Sequence, residues 1–124
     1  MNQKQTLLYG SLLGLFGVAL GAFGAHALKG ILLQNGRVET YDLAVRYQFY
    51  HALALLIIGL LMEKLGATIK WASLLIFVGV VIFSGSLYLF ALTNTTTFAI
   101  ITPLGGVLML LGWGSLCYSI VTKK

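Results

Sequence analysis

Hydrophobic residues form four long runs along the chain, and short polar segments separate each run from the next. The pattern predicts membrane-spanning helices at about residues 7–28, 42–62, 71–92 and 98–121. At 1.5 Å per residue, runs of this length cross a hydrocarbon core roughly 30 Å thick. We therefore predict an all-α polytopic membrane protein, an antiparallel four-helix transmembrane bundle that forms one domain over residues 1–124.

The segments between the runs carry signals that end helices. Gly30 and Gly36 lie in the first connection, and Gly66 follows the charged pair Glu63 and Lys64. Since the connection after Lys64 is short, spans two and three are predicted to be antiparallel neighbours.

Composition supports a membrane location: 59% of the residues are hydrophobic and 9% are charged, with a net charge of +5. The basic residues stand singly at the ends of apolar runs, which is typical of membrane flanks and argues against nucleic acid as a partner. One predicted side carries Lys4, Lys64, Lys70, Lys123 and Lys124, and the other carries Lys29, Arg37 and Arg46. Because basic residues are enriched on the cytoplasmic side, both termini are predicted to be cytoplasmic.

Span one contains regularly spaced glycines. They are Gly10, Gly14, Gly17, Gly21 and Gly24. Spacings of four, three, four and three match the 3.5-residue repeat of closely packed, left-handed helix pairs. Since lipid gives helices no hydrophobic reason to associate, we predict a helix-packing stripe. The sequence leaves open whether the stripe packs within the chain or joins copies in a homo-oligomer, and whether glycine is simply common in membrane helices.

Span two begins with four of the rare polar groups that a membrane helix must accommodate. At 100° per residue, Asp42 and Arg46 lie on one stripe, while Gln48 and His51 lie on another. An arginine at membrane depth should be paired, reach the surface or line water, so we predict Asp42 as the partner of Arg46.

His51 lies about 14 Å deeper than Asp42. One interpretation is a neutral imidazole that is hydrogen-bonded to Ser84, Ser86 or Tyr88. The other is a proton or ligand site, because histidine titrates near neutrality.

Polar side chains from all four spans are predicted to converge in the outer half of the bundle. This candidate cluster comprises His26, Asp42, Arg46, Gln48, His51, Ser84, Ser86, Tyr88 and Thr102. The other half of each span is interpreted as apolar.

The chain lacks recognisable catalytic, metal and cofactor motifs. Ser84 and His51 have no acid to complete a triad, and glycine-rich phosphate loops and paired metal-ligand motifs are missing. A haem between His26 and His51 is disfavoured by their unequal depths. We predict no cofactor, no metal site and no catalytic residue, and we keep an enzyme acting on lipid or quinone as a minor alternative.

Four ordered motifs resemble one known family. They are GAFGAHAL at residues 21–28, TYDLAVRYQFYHALAL at 40–55, FSGSLYL at 83–89 and ITPLGG at 101–106. The chain resembles the small membrane proteins classed as domain of unknown function 423, whose animal relative is called transmembrane protein 256. The resemblance implies a four-helix protein of the bacterial inner membrane and brings no assigned activity.

Two functions from different classes stay open. The first is a small-molecule or lipid-headgroup binding or transport protein that uses the polar cluster, with membrane lipids as partners. The second is a non-catalytic structural or assembly protein, in which the polar groups bond only to one another and exposed glycine faces recruit another membrane protein.

Overall fold

The computed structural model of the protein describes residues 1–123 and consists of helices and short turns, which confirms the predicted all-α fold. The helices are α1 (Gln3–Ala25), α2 (Lys29–Asn35), α3 (Val38–Leu61), α4 (Ile69–Thr93) and α5 (Thr96–Thr122). All but α2 are long and apolar enough to cross a membrane. Lys124, one of the basic residues on which the predicted membrane orientation rests, lies outside the described residues.

The long helices include polar residues that lie outside the predicted hydrophobic runs. The first helix begins at Gln3 because the Asn2 side chain accepts a hydrogen bond from the Gln5 backbone, and the Gln5 side chain accepts one from Asn2. This reciprocal capping box starts the helix before its apolar residues begin. In the connection between α1 and α3, Gly36 adopts a left-handed conformation with φ of 66° and ends α2.

The four long helices stand in a row. Helix α1 packs on α3, α3 packs on α4, and α4 packs on α5, so spans two and three are neighbours as predicted. Within residues 1–123, the backbone of α5 approaches that of α4 alone. We call the face where α1 and α4 begin the terminal face, and the opposite face, with α2 and the turn between α4 and α5, the loop face.

Helices α1 and α4 meet near the terminal face. The amino group of Met1 donates to the carbonyl oxygen of Lys70 at 3.0 Å, and the rings of Tyr9 and Phe77 stack with centroids 4.8 Å apart. These contacts place the start of α1 beside the start of α4.

Three glycines of α1, spaced seven residues apart, lie against α3. A Cβ atom added to Gly10, Gly17 or Gly24 would lie 3.1 Å or less from atoms of α3. At Gly21 it would make ordinary contact, at 3.5 Å, and at Gly14 it would meet no atom within 4 Å. The α1 stripe therefore packs within the chain at three positions, while Gly14 faces away from the other helices.

Helices α4 and α5 form a second glycine contact, which the sequence analysis did not assign. A Cβ at Gly79 would lie 2.7 Å from the backbone nitrogen of Met109, and one at Gly105 would lie 2.5 Å from that of Phe83. Gly112 is equally close to the α4 backbone, since its Cβ would lie 2.9 Å from the nitrogen of Ile76. The two backbones touch because these positions carry no side chain.

Helix α2 covers the loop-face end of α4. The side-chain amide of Asn35 donates to two carbonyl oxygens in the last turn of α4, at 3.0 and 3.2 Å. The guanidinium of Arg37 donates to the side-chain oxygen of Asn94 at 3.0 Å and lies 4.2 Å from the ring centroid of Phe90. Leu32 is buried beneath the short helix, so the first connection is part of the packed structure.

Candidate functional site

The two polar stripes of α3 have opposite environments. The interior stripe consists of buried Ala44, Gln48, His51 and Leu55. The other stripe is exposed and consists of Glu39, Asp42, Arg46 and Tyr50. At 100° per residue, Arg46 and His51 point roughly 140° apart. The structure therefore does not bring them together, and the predicted single cluster is divided between the interior and the surface.

Gln48 links three helices. Its amide nitrogen donates to the carbonyl oxygen of Leu13 in α1 at 2.8 Å, and its side-chain oxygen accepts from the hydroxyl of Tyr88 in α4 at 2.6 Å. Nearby, the hydroxyl of Ser84 donates to the carbonyl oxygen of Ala44 at 2.8 Å. These groups bond to one another and to backbone carbonyls across helix contacts, and Gln48, Ser84 and Tyr88 line a small cleft of about 170 Å³.

Ser86 and Thr102 form a separate link between α4 and α5. Their hydroxyl oxygens are 2.6 Å apart. Each hydroxyl also lies within hydrogen-bonding distance of a carbonyl oxygen of its own helix, Phe83 or Phe98; since each has one proton, one hydroxyl donates to its own helix and the other donates across to it. Ser86 therefore faces α5 and does not meet His51.

His51 bonds across to α5. Its Nδ1 lies 2.8 Å from the carbonyl oxygen of Tyr47, and its Nε2 lies 3.1 Å from the indole nitrogen of Trp113. A carbonyl only accepts and an indole N–H only donates, so Nδ1 carries the proton and Nε2 accepts. The imidazole is neutral in this arrangement, and its partner is a tryptophan of α5 instead of the predicted hydroxyls of α4.

The side chains of His51 and Trp113 bridge the gap between α3 and α5, in a groove that opens sideways from the bundle. The groove has a volume of about 610 Å³. We call it the lateral groove; it is lined by Tyr47, Tyr50, His51, Phe83, Pro103, Gly106, Val107, Met109, Leu110 and Trp113. The side chain of Phe83, from α4, lines the groove between the walls formed by α3 and α5. Its ring centroid lies 4.7 Å from that of Tyr47.

Sequence reasoning missed Trp113, although a signal was present. Tryptophan in membrane proteins usually lies at the interface, whereas Trp113 is well inside α5. An indole N–H at that depth needs an acceptor, and His51 in the middle of α3 is the one it finds.

The remaining predicted site residues lie on the surface near the loop face. His26 is exposed at the end of α1. Asp42 and Arg46 line a cleft of about 460 Å³ between α1 and α3, together with Glu39. No salt bridge joins Asp42 to Arg46 in the described part of the chain, so the predicted pairing is not formed.

A smaller cleft of about 280 Å³ adjoins this one and shares Gly21 and Asp42 with it. We call the two together the loop-face cleft; its lining residues are Gly21, Gly24, Ala25, Lys29, Leu32, Leu33, Val38, Glu39, Asp42, Val45 and Arg46.

Buried polar residues also occur near the terminal face, contrary to the predicted asymmetry. Thr6, Ser73 and Ser119 are fully buried. The hydroxyls of Thr68 and Ser119 lie 2.6 Å apart and link α4 to α5. Sequence analysis overlooked these residues because isolated serine and threonine within an apolar run do not lower its overall hydrophobicity.

These observations define an integral membrane protein with four spanning helices, whose buried polar side chains bond to one another or to backbone carbonyls. Among residues 1–123, every buried side-chain nitrogen and oxygen has a hydrogen-bond partner. Interior groups of this kind are required where water is absent.

The chain belongs to the family described as "Protein of unknown function (DUF423)", whose profile matches residues 20–106. A UPF0382 membrane protein of Staphylococcus aureus is 43% identical over 110 residues, which cover 89% of each chain. The UPF0382 membrane protein YwdK of Bacillus subtilis is 38% identical over 112 residues, covering 89% of this chain and 90% of YwdK. The family resemblance in the sequence is thereby confirmed. No solved structure matches the chain.

Proposed function

We propose that the protein binds a lipophilic small molecule that enters the lateral groove from the bilayer. The observation that carries the proposal is the groove itself, at about 610 Å³. Small-molecule sites commonly measure about 300–1,000 Å³ and combine apolar walls with a few polar groups. The lateral groove has aromatic and aliphatic walls, one hydrogen-bonded polar pair, His51 and Trp113, and two tyrosines, Tyr47 and Tyr50.

The lining indicates the chemical class of the ligand. Tyr47, Phe83 and Trp113 offer aromatic surfaces, which favour flat or unsaturated molecules. A hydroxyl on the ligand would accept from the indole of Trp113 and donate to His51 Nε2, taking the place of their direct bond. We therefore expect an unsaturated lipophile with a single hydroxyl group.

Binding explains the structure better than transport or assembly does. On α5 the groove runs from Pro103 to Trp113, roughly 15 Å or about half the thickness of the hydrocarbon core, so it does not run from face to face. The glycines expected to recruit a partner are largely occupied within the chain, at the contacts of α1 with α3 and of α4 with α5. Association with another membrane protein and a homo-oligomer stay predictions.

We also propose that the protein lies in the bacterial inner membrane, with both termini cytoplasmic. This location is supported by bacterial relatives that are named membrane proteins and by the excess of lysine on the terminal face. The outer half of the membrane then contains the loop face and the charged start of α3.

A groove-filling variant tests the proposal. A Cβ at Gly106 would meet only the Phe83 ring, at 3.9 Å, so Gly106→Leu places a side chain in the groove without a backbone clash. We expect geranylgeraniol, an unsaturated isoprenoid alcohol, to change Trp113 fluorescence saturably in a Trp71→Phe background. Gly106→Leu should weaken this binding at least about tenfold.

Gly14→Leu is the matched control, because Gly14 also faces open space but lies on α1. Phytane, the saturated hydrocarbon with the same skeleton, tests the need for the hydroxyl and the double bonds. Binding that survives Gly106→Leu, or an equal response to phytane, would contradict the proposal.

A further inference from the structure

We propose a second site, in which the loop-face cleft holds the headgroup of a phosphatidylethanolamine lipid. Arg46 would bind the phosphate, while Asp42 and Glu39 would bind the primary ammonium. This site lies between α1 and α3, with α2 at its edge, and involves none of the residues of the lateral groove. A test of this site is therefore independent of a test of the proposed function.

The order of charges along α3 matches the order of charges in the headgroup. Asp42 precedes Arg46 by four residues and Glu39 precedes it by seven, which places their backbones roughly 6 and 10 Å closer to the loop face. In a phospholipid the phosphate joins the glycerol next to the acyl chains, and the ammonium lies farther out. On α3 the deeper cation and the shallower anions are complementary to that arrangement, and Lys29 of α2 adds a second cation at the edge of the cleft.

Arg46 needs an anion that the described chain does not supply. It lies eight residues into α3, roughly 12 Å from the start of the helix, and it forms no salt bridge within residues 1–123. On insertion scales an arginine at the centre of a membrane helix costs about 2.5–3.5 kcal/mol, so arginines below the surface bind phosphate, water or acids. The phosphate of a neighbouring lipid lies at the depth that Arg46 reaches by extending towards the loop face.

The cleft has room for the lipid because one wall lacks a side chain. A Cβ at Gly21 would contact only Val45, at 3.5 Å, and both residues line the cleft beside Arg46. The adjoining part adds apolar side chains, Leu32 and Leu33 of α2, beside Asp42. A glycerol backbone and the first carbons of an acyl chain fit such a mixed lining.

The carboxylates select among headgroups. A primary ammonium donates hydrogen bonds to Asp42 and Glu39, whereas choline has no N–H and glycerol has no positive charge. We therefore expect phosphatidylethanolamine to be preferred to phosphatidylcholine and phosphatidylglycerol with the same acyl chains.

Native mass spectrometry of the full chain, released from nanodiscs of equal amounts of the three lipids, measures this preference. We expect retained phosphatidylethanolamine to exceed either competitor, and Arg46→Gln and Asp42→Asn each to reduce it about tenfold. Matched controls are Lys64→Gln and Glu63→Gln, which remove the same charges near the terminal face. Gly21→Leu, which fills the cleft and leaves its charges intact, should also reduce retention, while Gly14→Leu should not.

Several results would overturn the proposal. Equal retention of phosphatidylglycerol would remove the role of the carboxylates, and equal retention of phosphatidylcholine would remove the ammonium hydrogen bonds. Equal losses in the control variants would indicate general destabilisation. Displacement of the lipid by inorganic phosphate in the buffer would indicate a site for a soluble anion.

Discussion

At the scale of residues, His51 is a link between helices. Both of its ring nitrogens have partners, and the donor from Trp113 fixes Nε2 as an acceptor. Adding a second ring proton would place two N–H groups against each other and break the contact with α5. We therefore interpret His51 as a neutral hydrogen-bonding group that holds the lateral groove together, and a bound hydroxyl would use the same two atoms.

A double-mutant cycle tests this link. Hydrogen bonds between membrane helices are worth about 0.6 kcal/mol on average and up to about 1.7 kcal/mol. We expect His51→Phe and Trp113→Phe to be non-additive by about 1 kcal/mol in the free energy of unfolding, measured by SDS titration with circular dichroism. Trp71→Phe is the control, because Trp71 is 63% exposed and makes no side-chain hydrogen bond in the described structure. Additive effects of the two substitutions would contradict the link.

The sequence predicted which polar residues of α3 share a stripe, but it did not predict which groups they bond to. The helical period placed Gln48 and His51 together on one stripe and Asp42 and Arg46 on another, and the structure buries the first and exposes the second. The period alone does not say which neighbour each stripe faces. Trp113 is the partner of His51 because α3 and α5 both pack on α4 and their side chains meet across the lateral groove, an arrangement that a single sequence does not reveal.

At the scale of elements, the pairing of α4 with α5 depends on missing side chains. Gly79 and Gly105 lie opposite each other, and a Cβ on Gly79 would come within 2.9 Å of the Gly105 carbonyl oxygen. Two hydroxyl pairs, Ser86 with Thr102 and Thr68 with Ser119, join the same helices near their opposite ends. The contact is therefore close at its centre and hydrogen-bonded on either side.

Alanine substitutions separate packing from helix propensity in α4. Gly79→Ala should lower the free energy of unfolding by about 1–3 kcal/mol, because the added methyl group overlaps the α5 backbone. Gly85→Ala, in the same helix, meets no atom within 4 Å and should be neutral or stabilising by up to about 1 kcal/mol. SDS titration measures both, and equal effects would contradict the assigned contact.

Hydrophobicity located the spans but not the ends of the helices. The capping box of Asn2 and Gln5 and the left-handed Gly36 set helix ends through hydrogen bonds and backbone geometry. The sequence pattern also predicted a connection where the structure has α2, since seven residues are too few for a clear helical period.

At the scale of the whole molecule, the row arrangement explains why both sites open sideways. Helices α3 and α5 flank α4 without backbone contact, which leaves the lateral groove between them. Similarly, α1 leaves the charged stripe of α3 uncovered at the loop face. A closed ring of four helices would have covered one of these surfaces.

Cysteine labelling tests the proposed orientation. In a Cys117→Ala background, Thr97→Cys marks the loop face and Lys4→Cys marks the terminal face; both positions are exposed. We expect a membrane-impermeant maleimide to label Thr97→Cys in intact bacterial cells, and Lys4→Cys only after permeabilisation, because lysine-rich ends stay in the cytoplasm. The reverse labelling would contradict the orientation.

The order of helices in the row is also their order of synthesis. As the ribosome delivers each new span, its packing partner is the preceding long helix, which is already in the membrane. Each new span packs mainly on the long helix before it, and α5 joins one exposed edge of the row. We expect the first three spans to leave the insertion machinery already associated, with the last helix added as a separate and final step.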